Sequence, residues 1–241
     1  MATVEDHYEN VLSEIYSWMF GGFESGIQRN VEFIERHNLV PAQSKIAIDL
    51  GAGCGFQTIP LASKGYSVTA IDFDASLLDE LKANSGNLTI QCIRDDLINF
   101  NEYVAADIEL IVCMTDTLLH LDSKEKVDLL FSKAFSALEA RGRLVITYRD
   151  LSCELTDTDR ILPVKSDENT IFTCFLEYER ETVKVNDIVY KKSDNGWDLF
   201  KSFYRKLRLS NKWVLEHLSL AGFNAISSNT ENGVTTVIAT K

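Results

Sequence analysis

Residues 46–55, which read IAIDLGAGCG, constrain the fold of this chain more than any other segment. An apolar run over 45–50 predicts a strand, three glycines spaced two apart follow (Gly51, Gly53 and Gly55), and residues 56–64 have an amphipathic pattern that predicts a helix. This order is the ligand-binding unit of open α/β sheets, in which ligands lie beyond the carboxyl ends of the strands. Glycine suits the turn because a side chain would block close approach of a ligand to the backbone. The segment therefore predicts a nucleotide-like ligand at the end of the first strand.

The spacing of the glycines narrows the class of ligand. The dinucleotide fingerprint G-x-G-x-x-G requires a sixth-position glycine, and Phe56 occupies that position. The pattern G-x-G-x-G preceded by Asp49 instead resembles motif I of the class I S-adenosylmethionine (SAM)-dependent methyltransferases, in particular those that act on small molecules. The resemblance implies SAM as the cofactor, with Asp49, Gly51, Ala52 and Gly53 around its methionine part.

A second predicted strand, residues 67–72, ends in the acid Asp72. A carboxylate at the tip of this strand can accept hydrogen bonds from both hydroxyls of a ribose. Asp72 could instead cap the helix that follows, but the sequence Asp74-Ala-Ser-Leu-Leu gives that role mainly to Asp74. We therefore assign Asp72, with Phe73 beside it, to the cofactor.

The third predicted strand, residues 89–93, leads into two consecutive acids. The resemblance places here an acid that reads the adenine amino group, followed by an apolar residue against the ring. Asp96 with Leu97 fits this pattern best, and Asp95 is the second choice. The alternative is that both acids are solvated loop residues.

The fourth predicted strand, residues 108–113, is apolar throughout, as expected of a strand that is buried on both faces. In the family the segment after it, motif IV, lies beside the transferring methyl group, which places Met114 at the cofactor. His120 is the strongest candidate for a general base, because a neutral imidazole there could face the acceptor; its alternative is a structural histidine. Asp116 could orient the acceptor or cap the turn.

Residues 123–140 are predicted to form an amphipathic helix, and residues 142–148 a fifth strand. Arg149 follows this strand and could bind a carboxylate of the acceptor through two hydrogen bonds. The alternative is a surface ion pair between Arg149 and Asp150.

The end of the chain predicts a helix over 213–221 that stops at Gly222, followed by strands over 223–229 and 234–240. Asn232-Gly233 between these strands suits a type I′ turn, which predicts a hairpin. The resemblance therefore implies an α/β fold: a Rossmann-like, mostly parallel sheet of seven strands that ends in an antiparallel hairpin.

Two segments lie outside this predicted core, which comprises residues 41–150 and 210–241. Residues 1–40, with a helix over 27–37, predict an N-terminal helical lid. Tyr16 and Trp18 in this segment could close the cofactor pocket, because an aromatic face attracts the cationic sulfonium of SAM; alternatively they pack the segment onto the sheet. Residues 151–209 predict a small antiparallel β cap on the substrate side, with turns at Asn186-Asp187 and over 194–196.

Composition restricts the partners. The chain has 24 Lys and Arg against 36 Asp and Glu, a formal net charge of −12, so a nucleic-acid phosphate backbone is not an expected partner. The motif IV segment also lacks the Asn/Asp-Pro-Pro-aromatic signature of methyltransferases that act on bases.

The five cysteines form no C-x-x-C pair, which predicts free thiols and no metal site. No leader and no apolar run of about 20 residues is present, so we expect no membrane span and a cytoplasmic protein, either monomeric or homodimeric.

The leading hypothesis is a SAM-dependent methyltransferase that transfers a methyl group to an oxygen or nitrogen of a small molecule by in-line displacement. Such a reaction needs positioning, exclusion of water and in some cases a base. The first alternative is a protein that binds SAM or S-adenosylhomocysteine (SAH) for different chemistry. The second is an NAD(P)-dependent oxidoreductase on a similar sheet.

Overall fold

Parallel strands that end at one edge form the centre of the molecule. In a computed structural model, which describes residues 7, 12–104 and 107–241, the first five strands of the chain are parallel and pair in the order β5-β4-β1-β2-β3. They are β1 (Ile46–Leu50), β2 (Ser67–Asp72), β3 (Ile90–Arg94), β4 (Ile108–Cys113) and β5 (Leu138–Tyr148).

An antiparallel hairpin completes this sheet at the β5 side. Its strands are β10 (Ala225–Glu231) and β11 (Val234–Thr240), and β11 pairs antiparallel with β5. The two turn residues Asn232 and Gly233 have φ angles of 50° and 77°, which is the left-handed backbone that a type I′ turn requires. The predicted fold class, a seven-stranded and mostly parallel sheet with a terminal hairpin, is confirmed.

Helices cover both faces of the sheet. The helices are α1 (Tyr16–Met19), α2 (Phe23–Arg36), α3 (Thr58–Ser63), α4 (Ala75–Asn84), α5 (Lys124–Ala137) and α6 (Asn211–Ala221), and short 3₁₀ helices span Ser13–Ile15, Leu97–Glu102, Thr117–His120 and Asp157–Arg160. One apolar cluster joins alternate sheet residues to α5 and α6, and a second joins the other face to α2 and α3. Strands β1, β2 and β4 are therefore mostly buried on both sides, with β4 buried at every residue, whereas the edge strand β3 is partly exposed.

A second, antiparallel sheet follows β5 and precedes α6. It consists of β6 (Ile161–Ser166), β7 (Thr170–Tyr178), β8 (Thr182–Ser193) and β9 (Gly196–Leu207), paired in that order. We call it the cap sheet. One of its faces packs against Leu12 and Ile15 through Phe172, Leu176 and Val183. The N-terminal segment and the cap sheet therefore share one apolar cluster.

One predicted helix end and one predicted turn are wrong for reasons that lie in the pairing of strands. The helix predicted over 123–140 ends at Ala137, because Leu138 joins the sheet opposite Ile108 as the first residue of β5. The turn predicted at Asn186-Asp187 lies instead within β8, where both residues pair with β7 and β9. Burial of alternate residues along β8 outweighs the local turn preference of Asn and Asp.

Three further features bear on the sequence predictions. Residues 1–6 and 8–11 of the predicted lid lie outside the described residues. All five cysteines are free thiols. None of the described helices is both long and apolar enough to span a bilayer.

Candidate functional site

A cavity of about 760 Å³ opens at the carboxyl ends of β1, β2, β3 and β4, a volume within the usual range of ligand pockets. Its walls come from both sheets. The core contributes the glycine turn after β1 and the segments that follow β2, β3 and β4, and the cap sheet contributes Thr182, Arg205 and Leu207. The cavity therefore lies between core and cap.

The glycine turn is bonded to the end of the neighbouring strand. The backbone N–H groups of Gly51 and Ala52 both donate to the carbonyl of Ile71, at 2.8 and 3.1 Å. A Cβ on Gly51 would collide with Thr117, whereas a Cβ on Gly53 would have only Tyr16 and Leu77 in reach, at 3.8 and 3.9 Å. Gly51 is therefore required for packing, and Gly53 leaves space at the wall of the cavity.

Asp72 lies at the tip of β2 with 8% exposure and lines the cavity. Its Oδ2 accepts a hydrogen bond from the Gly53 N–H at 2.7 Å, and its Oδ1 accepts one from the Asp74 N–H at 2.9 Å. Burial raises the pKa of Asp72 to about 6, against these two hydrogen bonds, which lower it. Asp74 caps α4 as predicted, because its carboxylate accepts from the N–H groups of Ser76 and Leu77.

Asp49 is buried beneath the glycine turn, with 1% exposure. Its Oδ2 accepts a hydrogen bond from the Thr58 hydroxyl at 2.6 Å, whereas its Oδ1 has no hydrogen-bond partner within the described part of the chain. Burial raises the pKa of Asp49 to about 7, although the Thr58 hydrogen bond lowers it. A buried carboxylate oxygen without a donor is costly, and a cationic or N–H-bearing ligand would relieve that cost.

The two acids after β3 both line the cavity but differ in their partners. The oxygens of Asp95 bind groups of its own loop, namely the Tyr103 hydroxyl, the Asn99 amide and the backbone N–H of Asp96. These bonds lower the pKa of Asp95. Asp96 caps the 3₁₀ helix Leu97–Glu102 through Oδ1, and its Oδ2 lies 3.8 Å from the ammonium of Lys126.

The turn after β4 has an unusual backbone and a buried charge. Thr115 and Asp116 have φ angles of 59° and 66°, a left-handed conformation that is rare for a β-branched residue. Asp116 accepts hydrogen bonds from the backbone N–H of Arg149, from its guanidinium, and from the ammonium of Lys206. Burial acts to raise the pKa of Asp116, but Lys206 and Arg149 hold it well below its usual range.

These contacts correct two expectations. The side chain of Asp116 makes no hydrogen bond that caps the following 3₁₀ helix, because its carboxylate is occupied by the two cations. The ion pair of Arg149 is with Asp116, and not with Asp150 as the alternative reading had it. The Arg149 side chain is 60% exposed and lies outside the lining of the cavity.

His120 lines the cavity, and its imidazole stacks on the ring of Tyr204 with 5.3 Å between centroids and an interplanar angle of 23°. Burial, together with the charge of Lys206, lowers the pKa of His120 to about 3. The imidazole is therefore neutral at physiological pH. A neutral imidazole can accept or donate a hydrogen bond, but one with so low a pKa is a weak base.

Tyr16 and Trp18, expected together at the cofactor pocket, lie in different places. Tyr16 lines the cavity and stacks on Phe56 with ring centroids 6.0 Å apart. The indole N–H of Trp18 donates to Asp167 at 2.6 Å, and the Lys165 ammonium lies 5.1 Å from its ring centroid. Trp18 therefore packs on the cap sheet, which is neither the cofactor pocket nor the edge of the core sheet that the sequence analysis considered.

Apart from Trp18 and Arg149, the predicted site residues divide into two groups. Those that line the cavity are Tyr16, Gly51, Gly53, Asp72, Phe73, Asp96, Leu97 and His120. Those that are buried behind its walls are Asp49, Ala52, Met114 and Asp116. The sequence analysis missed Arg94 and Lys126. It also missed the three cap residues, because nothing in the spacing of 151–209 indicates which cap residue faces the core.

Comparison with known proteins agrees with this geometry. A family model described as a methyltransferase domain matches residues 47–142, which hold the glycine turn, Asp72, Asp96 and His120. The resemblance predicted from the glycine spacing is thereby confirmed over this part of the chain.

Two curated relatives match parts of the chain. One is an rRNA adenine N-6-methyltransferase of Corynebacterium diphtheriae, 32% identical over 63 residues, which are 26% of this chain and 25% of that protein. The other is a glycine/sarcosine N-methyltransferase of Aphanothece halophytica, 20% identical over 155 residues, which are 60% of this chain and 56% of that protein. The chain therefore spans about a quarter and somewhat over half of the lengths of these two relatives.

Among solved structures, SAM-bound CalS10, an amino pentose methyltransferase from Micromonospora echinaspora, superposes with a TM-score of 0.75 at 12% identity. The match covers 94% of this chain and 95% of that one. At this identity the similarity shows the fold.

The buried carboxyl of Asp49 predicts a pH-dependent stability. The pKa of Asp49 is about 7 in the folded protein and 3.8 in the unfolded chain. The contribution of Asp49 to the free energy of unfolding is therefore greatest below pH 3.8 and is lost as the pH rises through the folded-state pKa. We expect the free energy of unfolding of Asp49→Asn, relative to the wild type, to rise by about 2 kcal/mol between pH 5 and pH 8. Urea unfolding at both pH values measures it.

Asp79→Asn, on the exposed face of α4, is the control and should show little pH dependence relative to the wild type. The charge of Asp72 contributes to the raised pKa of Asp49, so the difference measured for Asp49→Asn includes the coupling between these two carboxyls. An Asp49→Asn difference that stays constant with pH would contradict the assignment of the raised pKa to Asp49.

Proposed function

We propose that this chain is a class I SAM-dependent methyltransferase whose acceptor is an oxygen or nitrogen atom of a small molecule. The observation that carries the proposal is one continuous cavity that runs from the glycine turn and Asp72 to the cap strands β8 and β9. Such a cavity brings a cofactor end and an acceptor end together in one enclosure. The confirmed fold and the matched methyltransferase domain support the assignment.

The residues present fit SAM. Gly51 and Gly53 would lie along its methionine part, and the unpartnered Oδ1 of Asp49 provides an acceptor beneath the turn. Asp72 would bind the ribose hydroxyls, and Asp96 with Leu97 the adenine. When bound, the cofactor supplies a methyl group on a sulfonium, which is already activated for displacement.

The chain's own contribution is positioning and exclusion of water. Tyr16, Leu121 and Leu207 give the cavity apolar walls, and strands β8 and β9 of the cap sheet contribute to its lining. His120 is neutral, so that it would accept a hydrogen bond from an acceptor hydroxyl or amine. Because its pKa is low, we propose that alignment of the acceptor contributes more to the rate than proton abstraction does.

A small molecule fits better than a nucleic acid. The net charge of −12 opposes a phosphate backbone, and the cap sheet contributes part of the wall of the cavity. The relatives named for glycine/sarcosine and for an amino pentose act on small molecules. The match to the rRNA methyltransferase is confined to 63 residues. A cytoplasmic location and a monomeric or homodimeric state stay predictions.

Calorimetric titration of the purified protein with SAH, SAM and NAD(H) tests the proposal directly. We expect micromolar binding of SAH and SAM and no binding of NAD(H), because Phe56 replaces the third glycine of the dinucleotide fingerprint and packs among Tyr16, Phe20 and Phe23. Binding of NAD(H) alone would refute the methyltransferase assignment. Binding of SAM without transfer of a labelled methyl group to any of a panel of small amines and alcohols would favour different SAM chemistry.

Tyr16 and Trp18 form a matched pair for testing the lid. We expect Tyr16→Ala to weaken SAH binding several-fold, because its ring lines the cavity, whereas Trp18→Ala should change SAH binding less and thermal stability more. Calorimetry and thermal unfolding of both variants provide the comparison. Weaker binding in Trp18→Ala than in Tyr16→Ala would show that the lid acts through the contacts of Trp18 with the cap sheet.

His120 is tested once an acceptor is known. If its imidazole aligns the acceptor, His120→Ala lowers kcat much more than it lowers the affinity for SAM. His217→Ala is the control, because His217 pairs with Asp128 between α5 and α6 and does not line the cavity. Unchanged turnover in His120→Ala would remove His120 from the mechanism.

A further inference from the structure

A buried ion pair connects the cap sheet to the core at the cavity. Lys206, on β9, is the only buried lysine or arginine in the part of the chain that the structure describes. Its ammonium lies 2.7 Å from Oδ2 of Asp116, which is itself 4% exposed. A charge that is removed from water is tolerated only when it is paired, and removal of one partner leaves the other uncompensated. Each of these two side chains therefore depends on the other.

The carboxylate of this pair belongs to the left-handed turn Thr115–Asp116. Such backbone conformations persist only where the surroundings impose them. Here the N–H of Thr115 donates to the Thr147 hydroxyl at 2.8 Å, and the carboxylate of Asp116 is held by Arg149 from β5's end and by Lys206 from the cap. From the cap side, Lys206 is thus the residue that bonds to the carboxylate of the turn, while Tyr204 stacks on His120 further along the segment.

The residues after this turn form one wall of the cavity. Thr115, Thr117 and His120 all line it, and the Thr117 side chain occupies the space that a Cβ on Gly51 would need. A shift of the turn would therefore move the wall against the glycine turn and displace the imidazole of His120.

We propose that Lys206 is a positioning residue, which by pairing with Asp116 holds the left-handed turn, and with it Thr115, Thr117 and His120, in place around the cavity. The cap sheet then acts on the cavity in two ways. It contributes Arg205 and Leu207 to the lining, and through the intervening Lys206 it fixes a wall that belongs to the core. The inference rests on the proposed function only where cofactor affinity is the readout.

The charge of Lys206 also acts on His120. The groups that face this imidazole are Lys206 and the Tyr204 ring from β9, Asp116 from its own turn, and His7 from the N-terminal segment. Lys206 opposes protonation of His120, and Asp116 favours it. Loss of the ammonium therefore raises the pKa of His120, an effect that a purely structural role of the side chain would not produce.

The test compares Lys206→Met and Lys206→Arg with Lys201→Met, which makes the same chemical change at an exposed position of β9. The first readout is SAH affinity by calorimetry. The second is the imidazole resonance of His120 by NMR in the ligand-free protein from about pH 5 to about pH 8, assigned with His120→Gln. We expect Lys206→Met to weaken SAH binding about tenfold, because it leaves Asp116 with one cation fewer.

In the NMR experiment, the wild-type imidazole should stay neutral over this pH range, because its pKa of about 3 lies below the range. Lys206→Met should displace the His120 resonance at neutral pH and bring the titration of His120 towards this range. Lys206→Arg, which keeps the positive charge, should keep the wild-type His120 resonance and its wild-type titration. Lys201→Met should match the wild type in both measurements. Equal SAH affinity and equal His120 resonances in Lys206→Met and Lys201→Met would overturn the proposal.

If Lys206→Met does not fold, the test uses the double variant Lys206→Met with Asp116→Asn, which removes both charges of the pair. A displaced His120 resonance is again expected, and a wild-type resonance would overturn the proposal. Absence of SAH binding in the wild type would contradict the proposed function alone, because the NMR experiment uses the ligand-free protein.

Discussion

The hydrogen bonds that join the turn after β1 to the end of β2 are the constraint on which the cavity depends. Two N–H groups of the turn, those of Gly51 and Ala52, share the carbonyl of Ile71, and the next, that of Gly53, donates to the Asp72 carboxylate. The turn, which would lie along the methionine part of a cofactor, and the acid that would bind its ribose are thus joined by hydrogen bonds into one unit. Because parallel strands end at the same edge of a sheet, the segments after β3 and β4 complete the walls around it.

Buried carboxylates surround this unit, and their environments differ. Asp49 and Asp72 lie in surroundings that raise the pKa of each, so that ionisation in the folded protein is costly. Asp116 is as deeply buried, but two cations keep it charged. The difference follows from the hydrogen-bond donors. Neutral hydroxyl and backbone N–H groups donate to Asp49 and Asp72, whereas charged side chains from β9 and from the end of β5 donate to Asp116. The core therefore places costly carboxyls beneath the glycine turn and at the tip of β2, and a compensated charge in the turn after β4.

Much of the fold followed from local pattern. Strand β4 was predicted with the bounds that the structure shows, because every residue of this short apolar run is buried. The hairpin turn at Asn232-Gly233 was predicted because these two residues readily adopt the left-handed backbone that the turn requires. The errors arose where partners distant in sequence decide. Leu138 leaves the predicted helix to pair with Ile108, and Asn186 and Asp187 join a strand despite their turn preference.

The sequence by itself determined the parallel core, the glycine turn and the acids at the strand ends, because periodicity and glycine spacing act locally. Only the tertiary structure decided which residues meet where the N-terminal segment and the cap sheet pack against the core. It separated Tyr16 from Trp18, paired Arg149 with Asp116, and brought Lys206 into the core from 90 residues away. These contacts depend on how an inserted antiparallel sheet packs against the core, and the alternation along its strands specifies two faces without specifying what each face meets.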